Sequence, residues 1–326
     1  MPTLLAIDDL HVSFETDRGR TAILHGISLD LEPGQTIGVV GESGSGKTVL
    51  VRAVLGLLDA PFAIDGGRIE YEGANLLEYG EAELERIRGR DIALTTPEPR
   101  KHLNPLTTIG DQIAKVIRAH ADVSKEAAMA RAVELLGMVG IPDPELRLAG
   151  YPHEMSGGMC QRIIIAMALA HDSKILLIDE PTAGLDVTIS RQILDLIRGL
   201  VRDRGAAALI VSRDLGVVAH YCRDVAVMYA GRIVEQAEVG TFFRQPLHPY
   251  SARLLRAAAA ARDRAVGRAE ATALLPPALD GCSYAPRCAL AEPACEASIP
   301  GPAEPAAGRW VRCLRAAAIA HGEVAV

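Results

Sequence analysis

The first residues able to do chemistry lie near the N-terminus. Gly41, Glu42, Ser43, Gly44, Ser45, Gly46, Lys47 and Thr48 fit the pattern G-x-x-x-x-G-K-[ST]. Glycines let backbone N–H groups approach phosphate oxygens, and the N-terminus of a following helix, opening at Val49, favours the anion. Lys47 would reach the β and γ phosphates of a nucleotide, and Thr48 would ligate Mg²⁺. A companion is needed, and 175–181 supplies it. An apolar strand ends there in Asp179 and Glu180. Asp179 can hold the Mg²⁺ shell, and Glu180 can orient or deprotonate an attacking water. A second anion site is written at Ser156, Gly157 and Gly158, just before a helix. With two phosphate-binding elements on separate blocks, a head-to-tail pair would put each chain's second element on the nucleotide held by the other.

The elements that must position these groups follow from periodicity. Alternation at Leu10, Val12 and Phe14, and at Ile27, Leu29 and Leu31, predicts strands. Residues 36–40 form a short apolar strand, 41–48 the loop, and a helix runs on through Leu57. Further strands occupy 67–94 around a polar helix at 81–90. From about 105 to 170 the pattern turns helical, with Ile109, Ile113, Val116 and Ile117 on one face. The core resumes with strands at 174–179 and 206–212, a helix through Ile193 and Val201 between them, and a hairpin through Ala230 and Gly231. Seven of the 19 prolines then fall between Pro276 and Pro305, in a loop-rich tail.

Composition narrows the classes. The chain has 326 residues, 49% of them hydrophobic, and a net charge of −7. That argues against a broad nucleic-acid surface. No apolar run reaches membrane-spanning length, and Asp8 and Asp9 near the N-terminus speak against a secretory signal. Of six cysteines, Cys160 and Cys222 stand alone as packing residues, whereas Cys282, Cys288, Cys295 and Cys313 crowd the C-terminus. Such crowding favours metal over disulfides. No close C-x₂₋₄-C pair is present, and four thiolates suit either Zn²⁺ or a [4Fe–4S] cluster.

In combination these segments resemble a known family. GESGSGKT at 41–48, LNPLTTIGDQI at 103–113, YPHEMSGGM at 151–159, DEPTAGLDVT at 179–188, DLGVVA at 214–219, HPY at 248–250 and GCSYAPRC at 281–288 are similar to the ATP-binding subunits of ABC transporters, in the oligopeptide/dipeptide/nickel importer branch. The resemblance implies an α/β fold. A P-loop nucleotide-binding domain with an antiparallel β subdomain would span 1–250, with an α-helical subdomain at about 97–170. A cysteine-containing appendix would span 251–326. It further implies ATP and Mg²⁺ as ligands, Phe14 stacking on adenine, and Asp186 in the loop facing the partner. Residues 104–112 would dock a permease. The partners would be a second ATPase subunit, two permease subunits and an extracytoplasmic binding protein, with no nucleic acid. The chain would work as a peripheral subunit at the cytoplasmic face of the membrane. In this branch the four cysteines are associated with a [4Fe–4S] cluster, with Zn²⁺ the runner-up. Peptides are the default substrate; nickel, metal chelates or other small solutes, with two active sites, form the alternative. A soluble ABC ATPase outside transport is the reading of another class.

Two positions depart from the family pattern. Pro97 falls where the family has a glutamine, and Arg213 where it has a histidine. Proline offers neither side-chain amide nor N–H, and arginine donates but never accepts. Both belong to the site built on this chain's own Lys47 loop, whereas Ser156, Gly157 and Gly158 are intact. The expectation is an asymmetric heterodimer: a slow site on Lys47, and a productive one where Ser156 completes the partner's.

Overall fold

The computed structural model describes residues 3–17, 19–263 and 280–325, with side chains left aside at 261–263. Among the described residues, twelve strands form two sheets. β1 (Leu5–Thr16), β2 (Gly19–Leu31), β4 (Phe62–Tyr71) and β5 (Ala74–Asn75) make an antiparallel sheet in the order β2-β1-β4-β5. The larger sheet takes β3 (Thr36–Val40), β6 (Ile92–Thr95), β7 (Ile175–Asp179), β8 (Ala207–Val211), β9 (Asp224–Tyr229), β10 (Arg232–Glu238), β11 (Ala303–Ala306) and β12 (Arg309–Val311). Its order is β11-β12-β10-β9-β3-β8-β7-β6, parallel from β9 through β6.

The central strands are continuous apolar runs because both of their faces are covered. In β7, Ile175 and Leu177 face one core, and Leu176 and Ile178 the other. In β8, Leu209 and Val211 join the first core, and Ala208 and Ile210 the second. The first core lies under the antiparallel sheet and includes Leu50 and Val54 of the helix after the loop. The second is filled by the helical block: Ile109–His120, Lys125–Met138 and Gly157–Ala168. Thr108, Ser124 and Ser156 cap these three helices, each accepting a backbone N–H one turn on.

The helix Lys47–Val54 ends before Leu57, because Gly56 takes a left-handed conformation just past it. Helix Pro249–Asp263 runs across the expected boundary at 250. The tail also carries more structure than its proline content predicts. β12 pairs with β10, Val311 opposite Glu235, and so extends the main sheet. Arg309 donates to the fully buried Glu235 at 3.2 Å, and Glu235 also accepts from the Leu247 and His248 N–H groups at 2.8 and 2.9 Å. This buried ion pair ties the tail to the main sheet. This pairing spans more than seventy positions, beyond the reach of local periodicity. Among the described residues, no helix is long and apolar enough to cross a membrane.

Candidate nucleotide site

Strand order brings the chemistry together. β8 lies between β3 and β7, so the segments leaving the C-terminal ends of all three are neighbours. β3 leads into the glycine loop, β7 into Asp179 and Glu180, and β8 into Ser212 and Arg213. Asp179 stands opposite Val211 in the ladder, and the Glu180 N–H donates to the Val211 carbonyl at 2.9 Å. This is the place where open α/β sheets bind ligands.

Within the loop, Gly41 is fixed by close approach. A Cβ there would lie 2.2 Å from the Met228 carbonyl oxygen of β9, so no side chain fits. Ser43 and Gly44 are exposed, Gly46 and Val49 half-buried, and Ser45 buried. Lys47 is buried as well, and its ammonium donates to the Gly41 carbonyl at 2.9 Å, the Glu42 carbonyl at 2.8 Å and Ser45 Oγ at 3.2 Å. Burial pushes its pKa down, opposed by the carboxylates of Glu180 and Asp179.

Thr48 Oγ1 donates to Asp179 Oδ2 at 2.8 Å. Asp179 Oδ1 is buried with no hydrogen-bond partner. A hard oxygen pair with one orphaned lone pair suits Mg²⁺. Burial raises the Asp179 pKa, against the Thr48 hydrogen bond, which lowers it; a bound divalent cation acts in the same sense as Thr48.

Arg213 lies nearer to Glu180 than its sequence position discloses. Its Nε donates to Glu180 Oε1 at 2.8 Å. The guanidinium is 64% exposed and the carboxylate only 16%. Such a pair is worth about 0–1 kcal/mol to the fold, so its interest lies in what it occupies: an acceptor site on Glu180 Oε1. His220 offers no replacement, since its Nδ1 lies 2.8 Å from the Gly216 carbonyl of its own helix. Pro97 is half-buried after β6, and the carbonyl of neighbouring Thr96 accepts weakly from Gln161 Nε2 at 3.4 Å.

Other expected residues stand elsewhere. Ser156 and Gly157 are exposed at a helix start, and Ser156 Oγ accepts the Met159 N–H at 3.2 Å. Their helix belongs to the core of the helical block, the Lys47 helix to the other core. Asp186 caps Val187–Arg204, accepting from the Ile189 N–H at 2.9 Å. Phe14 meets the ring of Phe62 edge-on at 4.9 Å across the antiparallel sheet. Cys160 is fully buried and Cys222 half-buried, as packing residues, and burial pushes the Cys222 thiol up to about 12.

Cys282, Cys288, Cys295 and Cys313 line one small cavity with Tyr284 and Leu290. All four thiols are free. Burial raises the pKa of Cys282 and Cys288 and takes Cys313 to about 12. Among the described residues, no group of three or more His, Cys, Asp or Glu side chains is arranged to hold a metal ion. The four thiols share one cavity wall.

Two partners of the loop escaped the sequence reading. Arg287 forms a bidentate pair with Glu42, and Tyr250 Oη accepts the Glu42 N–H. A cation placed between cysteines was the only local sign of the first.

Comparison with known proteins agrees with this geometry. The family model described as ABC transporter matches residues 24–183, and that described as oligopeptide/dipeptide transporter, C-terminal region, matches 234–295. The chain is 43% identical over 320 residues to a probable peptide ABC transporter ATP-binding protein of Sinorhizobium fredii, covering 96% of this chain and 95% of the relative. It is 46% identical over 253 residues to the oligopeptide transport ATP-binding protein OppD of Bacillus subtilis, covering 77% and 71%. Among solved structures it is similar to a dimeric ATP-binding cassette in a post-hydrolysis state bound to ADP and Pi, with TM-score 0.66 and 23% identity over 72% of this chain and 98% of that one. It is also similar to CbiO1 of Clostridium perfringens, with TM-score 0.61 and 24% identity over 80% and 100%. With the fold, the loop and this similarity along nearly its whole length, the chain belongs to the ATP-binding subunits of ABC transporters, ATPases coupled to transport, in the branch that carries the oligopeptide/dipeptide transporter C-terminal region.

Proposed function

We propose that this chain is one of two unlike ATPase subunits in a peptide importer, and that its own ATP site is the slow one. The 2.8 Å hydrogen bond from Arg213 to Glu180 carries that reading. A general base needs a free lone pair aimed at water. Here a permanently charged donor holds one carboxylate oxygen, and Pro97 contributes no side-chain amide. ATP would still bind. Lys47 and the loop N–H groups would hold its phosphates, and Phe14 with Phe62 would offer an aromatic surface to adenine. Thr48 and Asp179 would hold Mg²⁺, which neutralises charge on the phosphates. Glu180 remains, so slow turnover persists.

The productive site uses the partner's glycine loop. Ser156, Gly157 and Gly158 supply a solvent-facing helix N-terminus to that nucleotide, and Asp186 starts the segment beside the same interface. Gln112 brackets the loop at 104–112, bonding the Asn104 N–H at 2.8 Å and the Thr107 carbonyl at 2.8 Å, while Leu106 is 87% exposed. That loop suits docking on a permease at the cytoplasmic face. Peptide cargo rests on the names of the relatives, delivered by a binding protein through two permease subunits. In the assembled transporter, Glu180→Gln is expected to leave ATPase within about twofold of wild type, and the same change at the partner's counterpart to remove nearly all of it. The opposite pattern overturns the assignment.

The four cysteines are proposed to hold a [4Fe–4S] cluster, with Zn²⁺ the second choice. A soft four-thiol donor set within one cavity supports this. Bound there, the group would cross-link the segments that carry the four cysteines. Anaerobic purification is expected to give about four irons per chain and the broad visible absorption of a cluster. Stoichiometric zinc selects the alternative, and the absence of both metals overturns metal binding.

A further inference from the structure

We propose that Arg287, carried on the cysteine-bearing loop of the tail, is a positioning residue for the phosphate-binding loop and acts through Glu42. The inference rests on the reading of Gly41–Thr48 as the nucleotide loop. Arg287 Nη1 donates to Glu42 Oε2 at 3.0 Å and Nη2 to Glu42 Oε1 at 3.1 Å. Nη1 also reaches Tyr229 Oη at 3.3 Å. The guanidinium lies 5.8 Å from the centre of the Tyr229 ring and 5.9 Å from that of Tyr284. Only 7% of the Arg287 side chain is exposed. A forked pair of this kind, with its guanidinium nearly buried, fixes direction as well as distance.

Glu42 is held on three sides. Its carboxylate takes the Arg287 fork, its N–H donates to Tyr250 Oη at 2.8 Å, and its carbonyl accepts the Lys47 ammonium at 2.8 Å. Tyr250 is fully buried, with its ring 4.6 Å from that of Tyr229 and 5.4 Å from that of Tyr284. The three rings join the tail to the loop and to β9. Arg287 itself ends the single turn Ala285–Arg287, between Cys282 and Cys288. That turn is anchored by the Cys282 N–H donating to the Cys295 carbonyl at 2.7 Å. Order in the cysteine loop is thereby passed to the residue that shapes the phosphate loop, 245 positions away.

Holding Glu42 fixes the loop before nucleotide arrives, so binding costs less ordering. The hydrogen bonds of the pair run to Tyr229 and within the pair itself, not to Thr48, Asp179 or Glu180. Its loss raises the dissociation constant for nucleotide and leaves the chemistry of Glu180 alone.

The test uses the full-length chain, titrated with a fluorescent Mg-ATP analogue alongside thermal melting. Arg287→Ala is expected to raise Kd about tenfold, equivalent to about 1.4 kcal/mol. Arg287→Lys keeps the charge without the fork and is expected to recover about half of that loss in free energy. Glu42→Gln combined with Arg287→Ala should bind no worse than Arg287→Ala alone, the signature of one shared interaction. A lowered melting temperature with Kd within about twofold of wild type makes Arg287 a fold staple and overturns the proposal. Additive losses in the double variant overturn it too. Should Arg287→Ala not fold, Glu42→Gln alone decides: a Kd raised about threefold supports the clamp, and an unchanged one overturns it. A wild-type chain that binds no nucleotide overturns the loop reading itself, and the clamp with it.

Discussion

Gly157→Asp in the assembled transporter is expected to lower steady-state ATPase about a hundredfold while leaving the fold intact. The fold survives because a Cβ on Gly157 meets nothing within 4 Å, and the residue lies at the first position of its helix. Aspartate is favourable there, since a carboxylate complements the positive end of the helix dipole. The same carboxylate would point at the γ-phosphate of the partner's nucleotide, where a preorganised donor set becomes a like charge. Stability and activity are thus driven in opposite directions by one substitution, which separates a functional loss from an unfolded protein. Thermal melting and ATPase on the same preparation check it. Preserved ATPase would mean that this segment completes no active site.

The second large effect is a gain. Arg213→His together with Pro97→Gln, in a transporter whose partner subunit carries Gln at its Glu180 counterpart, is expected to raise the remaining ATPase about tenfold. The substitution removes the donor that lies 2.8 Å from Glu180 Oε1. It also returns an imidazole that can accept a proton and an amide that can reach Mg²⁺ or water. Histidine alone is expected to give the larger share, because it frees the carboxylate; glutamine alone leaves the Arg213 contact in place. Single-turnover measurements separate faster chemistry from faster nucleotide exchange. If the double substitution leaves the rate unchanged, slow turnover has another origin and the two departures are neutral.

Much of this site was legible in the sequence because its parts are local. Gly41–Thr48 announces itself by spacing alone, and the apolar run before Asp179 says that two carboxylates end a buried strand. Ser156 reads as a helix cap. The helical block declared itself through Ile109, Ile113 and Ile117, which the structure buries in one core. What was missed is non-local. β12 finds its place against β10 through Val311 and a buried Arg309–Glu235 pair, and a proline-rich stretch with a three-residue strand gives no periodicity to read. The four cysteines line one cavity, but their side-chain directions depend on loops whose packing no spacing specifies.

By itself the sequence put the chemistry on offer: a phosphate-loop motif at 41–48, two carboxylates at a strand end, a second candidate anion site at Ser156, Gly157 and Gly158, and two irregular residues, Pro97 and Arg213. Local rules suffice for these, since each motif is a few residues whose backbone shape follows from glycine, caps and strand periodicity. The tertiary structure alone decided how they meet. The β3-β8-β7 order brings Arg213 onto Glu180, where its Nε donates to Glu180 Oε1. The same fold lays Arg287 of the cysteine loop on Glu42 and Tyr250 against its N–H, so that the opening motif is held from the far end of the chain. Contacts over such separations leave no local pattern in the sequence; here the packed sheets set the distances that allow them.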